Sequence, residues 1–204
     1  MSVDAQHVLE YWFGDPPSND AEVARCMKRW YSSSSKLDAA LRRRFGPLMV
    51  AGAQGELEHW CVTPNGRLAL ILLLDQFPRN VHRGTRAAFA QDDRALAHTL
   101  AGIEDGSHRR LTALQRVFFY MPMQHAESAE AQERSVRVFE DLARSDVEPH
   151  LETALEASAD YARLHRDIIA RFGRFPHRNA VLGRDSTQEE VRYLEGGAPS
   201  FGQS

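Results

Sequence analysis

Leu68-Ala69-Leu70-Ile71-Leu72-Leu73-Leu74-Asp75-Gln76-Phe77-Pro78-Arg79-Asn80 decides the fold: an unbroken apolar run stops at a carboxylate, and amide and guanidinium side chains follow. The run is far short of the about 18 residues that a membrane span needs, and it lacks the alternation of a half-buried strand. A helix apolar on every face is an enclosed one, so the run predicts the central helix of an all-helical core. Asp75 then stands at the negative end of that helix, where a carboxylate needs a cation or several donors. Arg79 is four residues on, with Arg83 beyond. Two readings follow: an ion pair that organises the turn at Pro78, or a carboxylate that orients an arginine toward an anionic ligand.

Outward from this stretch the punctuation is helical. Ser2 and Gly14 bracket a first helix, Asp15-Pro16-Pro17 a turn, and a second helix spans 20–31. Ser35 with Asp38 starts a third, and a short helix through Trp60 precedes Thr63-Pro64, which opens the apolar one. Helical spacing continues over 86–100, over 111–121 until Pro122, from Ser128 to about 144, and over 149–172. Ser186 with Glu189 caps a last short helix. The reading is all-α, about nine helices in a single domain over 1–195, followed by a frayed tail rich in Gly, Ser and Pro over 196–204.

The bulk numbers exclude several classes. A net charge of −3 gives no field for nucleic acid or an anionic membrane, and Cys26 and Cys61 form neither a CxxC pair nor a disulfide framework. Both are read as buried reduced thiols. Met1-Ser2-Val3-Asp4 has no basic, apolar and cleavage regions in series, which predicts a cytoplasmic protein.

Polar chemistry gathers at three further places. His165 falls on the inward stripe of the 149–172 helix, with Leu155, Ala162, Ile169 and Phe172. That helix delivers Arg174, Phe175, Pro176, His177, Arg178 and Asn179, more donors than a turn requires, although Asn179 would also serve as a turn or cap residue. His125 and Glu127 enter the Ser128 helix, spaced either as acid–base partners or as a first-turn carboxylate beside an exposed histidine. His59, His82, His98, His108 and His150 show no ligand spacing, and no phosphate loop, nucleophile elbow or zinc-protease motif occurs.

Leu72 through Asn80, Ala88-Phe89-Ala90, Phe119 through Pro122 with His125 and Glu127, and Phe172 through Asn179 followed by Leu182-Gly183-Arg184, taken in order, resemble domain-of-unknown-function family 924 from Trp12 to Leu194. The resemblance implies a tetratricopeptide-like helical superhelix and brings no activity with it. Ala126 departs from the serine usual there, and no clean 34-residue repeat is present. On a curved stack, Asp75, Arg79, Arg83, His125, Glu127, His165, Arg174, His177, Arg178 and Asn179 would furnish one concave face. That face is expected to bind an anionic peptide or a small carboxylate or phosphate. The rival reading is a hydrolase, with His125 or His177 as base and Glu127 or Asp75 orienting it. Its metal-dependent form uses His125, Glu127, His165 and His177 as ligands.

Overall fold

The computed structural model describes residues 4–199 and 201, and among these it contains eleven α-helices, short 3-10 turns and no strand. The helices are α1 (Ala5–Phe13), α2 (Asp20–Tyr31), α3 (Ser35–Gln54), α4 (Pro64–Leu74), α5 (Gln76–Val81) and α6 (Asp92–Glu104), followed by α7 (Ala113–His125), α8 (Ala129–Ala143), α9 (Glu152–Phe172), α10 (Asn179–Leu182) and α11 (Gln188–Glu195). The short helix expected through Trp60 is a 3-10 turn, Glu58–Val62, and the two α-helices not expected are α5 and α10, in segments whose prolines read as turns. In α5, Pro78 sits within the first turn, where its missing N–H forfeits nothing.

The apolar run behaves as its composition demands. Leu68 through Leu74 are all buried, and α4 is surrounded by α1, α3, α6 and α7. Thr63 caps α4 by accepting from the Gly66 N–H, with Pro64 at the first helical position. Gly66 is required there: a Cβ on it would lie 2.1 Å from the Trp60 carbonyl oxygen. Around this axis the aromatic rings interlock edge to face. Trp12 meets Phe77 and Phe118, and Trp30 meets Phe118 at 4.9 Å between centroids. Helices α7, α8 and α9 pack on one another, and the end of α9 turns through Gly173, at φ 67°, into the Arg174–Asn179 segment.

Several boundaries differ from the sequence reading: the helix expected over 86–100 is α6, Asp92–Glu104, preceded by the 3-10 turn Arg86–Ala88. Pro122 does not stop α7; the helix continues one turn to His125 with Pro122 buried inside it, so packing outweighs the lost backbone hydrogen bond. The last cap is Thr187 with Glu190, one residue beyond Ser186 and Glu189, because Ser186 is taken by Asn179. Ser2 lies outside the described residues, and Asp4 is the cap of α1. Of the tail, Ser200 and residues 202–204 also lie outside them, while Phe201 stacks on His165 at 4.1 Å. No helix among the described residues is long and apolar enough to cross a membrane.

Candidate functional site

Asp75 is the centre of the polar cluster. It is wholly buried where α4 passes into α5. Its Oδ1 accepts from His125 Nδ1 at 2.7 Å and lies 3.0 Å from Arg79 Nη1, and its Oδ2 accepts from the Gln76 amide. Burial alone would push this carboxyl up. The Arg79 charge, then His125 and the hydrogen bonds from His125 and Gln76, outweigh burial and hold Asp75 well below the usual carboxylate range. An ionised Asp75 fixes the tautomer of its partner: His125 carries its proton on Nδ1 and presents a lone pair on Nε2. Burial and then Arg79 push the His125 imidazole down, against the pull of Asp75, so it is neutral at physiological pH.

Arg79 is shared between two carboxylates. Besides Asp75 it donates to both oxygens of Asp92, each at 2.9 Å, in the planar fork geometry that guanidinium groups favour. Arg178 joins from the far segment, donating to Asp92 Oδ2 at 3.2 Å, with its guanidinium 4.4 Å from the Phe175 ring and 4.6 Å from the Phe89 ring. Burial, followed by the neighbouring Arg79 charge, lowers Arg178 to about 10. The two Phe-Pro segments of the sequence thus meet across Asp92, two guanidinium groups on one carboxylate.

The other expected residues occupy distinct places. Arg83 is paired with Asp38 and donates to Asn80 at 2.6 Å. Glu127 accepts from the Phe175 N–H at 2.7 Å and takes a bidentate pair from Arg184, which also bonds Asn179 and the Phe175 carbonyl; it pins the segment after α9 to the start of α8. Arg174 is paired with Glu190, away from the cluster. His165 is buried, bonds the Tyr161 carbonyl through Nδ1 at 2.7 Å, and is pushed down to about 3 by burial and then by His125. His177 lies against Phe175 and Phe201 and is likewise lowered to about 3, first by burial and then by Arg178. The proposed metal quartet of His125, Glu127, His165 and His177 is not gathered: among the described residues, the group of three or more His, Cys, Asp or Glu whose ligating atoms all lie within 4.8 Å of one another is Glu58, Cys61 and His98.

Two clefts open on the cluster, and His125 is the residue they share. The larger, about 500 Å³, has apolar walls from Met27, Trp30, Tyr31, Met121 and Leu164, and its polar lining includes Gln76, Arg79, Asn80, Arg83, Gln124, His125 and His165 beside Ser158 and Tyr161. The smaller, about 300 Å³, lies between Arg86, Phe89, Asp92, Glu127 and Arg178. Sequence reasoning missed Asp92, which, beside Asp93 at the start of α6, has the signature of acidic residues that complement a helix dipole. Gln76 and Arg184 were missed as well, since neither spacing nor composition marks their partners.

An all-helical fold built round an enclosed helix, with a buried Asp–His–Arg cluster where that helix ends, is the class this chain falls in. It belongs to the family described as bacterial protein of unknown function (DUF924), whose model matches residues 8–198. A solved structure described as a protein of unknown function, ATU0120, from Agrobacterium tumefaciens is similar to it over 95% of this chain and 97% of that one, with 35% identity and a TM-score of 0.80. No curated protein matches.

Proposed function

We propose that the larger cleft binds a small amphipathic molecule, its apolar body between α2, α7 and α9 and its carboxylate or phosphate head toward Gln76, Asn80, Arg83 and His125. The observation that supports this is the cleft's composition. A concavity of about 500 Å³ with apolar walls and a few convergent polar groups beside titratable residues is what small-molecule sites share. Arg79 and Arg178 are balanced by Asp75 and Asp92, so an anionic head brings an uncompensated charge. Neutral His125 can balance it by taking up a proton.

In a thermal-shift screen of aromatic and medium-chain carboxylates, at least one should stabilise the protein, by about 2.7 kcal/mol at a hundred times its dissociation constant. Ala157→Trp, which fills the cleft from α9 and replaces none of its polar residues, should remove that stabilisation. Stabilisation that persists in this variant would place the ligand elsewhere. Binding should also tighten as pH falls below neutrality, because the bound anion raises the proton affinity of an imidazole that burial holds down.

A second reading, hydrolysis, is favoured by one distance. With Nδ1 held 2.7 Å from Asp75, the Nε2 lone pair is oriented to take a proton from a water attacking a bound ester, and Asp75 stabilises the imidazolium that results. On that reading, His125→Gln should lower the hydrolysis of a cleft-binding ester by about 10²- to 10⁴-fold while the helical circular-dichroism spectrum is unchanged. An unchanged rate would assign His125 to binding alone.

A further inference from the structure

The Asp75 cluster uses none of the chemistry at the opposite end of α4. There a 3-10 turn, Glu58–Val62, carries Glu58 and Cys61 three residues apart, the spacing at which side chains of such a turn stand on one side. His98 reaches the same point from α6. Its Nδ1 is 3.6 Å from Cys61 Sγ, its Nε2 is 3.4 Å from Glu58 Oε1, and one ligand atom from each residue lies within 4.8 Å of the other two.

We propose that Glu58, Cys61 and His98 form a binding site for a divalent transition metal, with zinc the best chemical match. Thiolate, imidazole and carboxylate are the donor set that zinc takes, and magnesium or calcium would reject the sulfur. Bonds of about 2.0 Å to nitrogen and oxygen and about 2.3 Å to sulfur require the donor atoms to be about 3.3–3.7 Å apart, so closure needs at most a shift of about 1 Å. Zinc displaces the thiol proton to solvent, and three protein donors leave a fourth position for water.

The framework is braced for this. Arg67 donates to the main-chain carbonyls of both Cys61, at 3.3 Å, and His98, at 3.5 Å, tying the turn to α6, and its charge is met by Asp105 at 2.8 Å. Arg94 donates to Glu58 Oε1 at 2.5 Å and so fixes the carboxylate whose same oxygen faces His98; a carboxylate oxygen has lone pairs for both the guanidinium and a metal. No ligand spacing is visible in the sequence because Cys61 and His98 are 37 residues apart and meet through the packing of α4 against the 3-10 turn and α6.

The test uses the full chain without a histidine tag, stripped of metal and titrated with Co²⁺ alone. One equivalent should produce a thiolate-to-cobalt charge-transfer band in the near ultraviolet, and Zn²⁺ should bleach it. Cys61→Ser should abolish the band, and His98→Ala should weaken zinc binding at least about 100-fold, the upper end of what losing even a supporting group costs. Circular dichroism establishes that each variant is folded, and Glu58→Gln, at an exposed position, provides a third variant that leaves the core untouched. Absence of the band at excess Co²⁺, or zinc affinity unchanged in Cys61→Ser and Glu58→Gln, overturns the proposal. So does binding that is lost only in His125→Ala.

Discussion

Replacing Arg79 with methionine should lower the unfolding free energy by about 3–5 kcal/mol, measured from the urea midpoint, although the aliphatic part of the side chain is retained. Arg79 is buried and holds Asp75 and Asp92 together with donations to the Asp75 and Ala88 carbonyls. Without it, Asp75 stays in a dry site with only His125 and Gln76. An uncompensated buried charge, rather than a lost attraction, is what makes breaking such a pair expensive. Arg86→Met, at an exposed arginine that donates to the Leu182 carbonyl, should change stability by less than about 0.5 kcal/mol.

The deficit should depend on pH with a definite sign. In the native protein the Asp75 pKa is held below its unfolded value of about 3.9, so its contribution is present above that value and is lost as pH falls through the folded one. Without Arg79 the desolvated carboxyl rises and takes a proton, which removes the buried charge. The difference between the two proteins should therefore be largest at neutral pH and narrow in acid. A gap that stays constant from neutrality to about pH 4 would show that Asp75 is not the group left exposed to the loss.

How far the sequence carried the site follows from which partners were local. Asp75 and Arg79 are one helical turn apart, so their pairing is written into the spacing, as is the enclosure of Leu68–Leu74. The inward stripe placed His165 correctly against the core. His125 depended on Pro122: read as a stop, it left His125 on a loop, whereas the added turn of α7 carries the imidazole to Asp75. Helix propensity argues for the stop, and burial of Met121, Pro122 and Met123 overrides it. Asp92 lay beyond reach for another reason. Its two arginines come from α5 and from the segment after α9, 13 and 86 residues away, and nothing in one chain's sequence ties such positions together. The arginine-rich run after α9 looked like a ligand site because its donors outnumber the needs of a turn. Glu190, Asp92 and, through Arg184, Glu127 absorb much of that excess.

Trp12 offers the sharpest test of how the core positions this cluster. Its ring is wholly buried, 5.3 Å from Phe77 and 5.7 Å from Phe118, and Phe77 is the second residue of α5, directly after Gln76. Trp12→Ala should cost about 3–5 kcal/mol, the range for emptying an aromatic site in a packed interior. It should also loosen Asp75 from His125, because Phe77 loses the surface it rests on. Trp12→Phe should cost far less than the alanine change. Among the described residues the buried indole Nε1–H has no hydrogen-bond partner, which corresponds to a desolvation cost of about 1–3 kcal/mol, and phenylalanine removes that cost while keeping most of the ring. The capping interactions at this residue are made by its main chain, whose carbonyl accepts from Trp30 Nε1 at 2.9 Å and Arg29 Nη1 at 3.1 Å, and both survive either substitution. Equilibrium unfolding separates the two contributions: if phenylalanine proves as damaging as alanine, the indole nitrogen has a partner such as a buried water, and the site's support rests on that hydrogen bond rather than on ring packing.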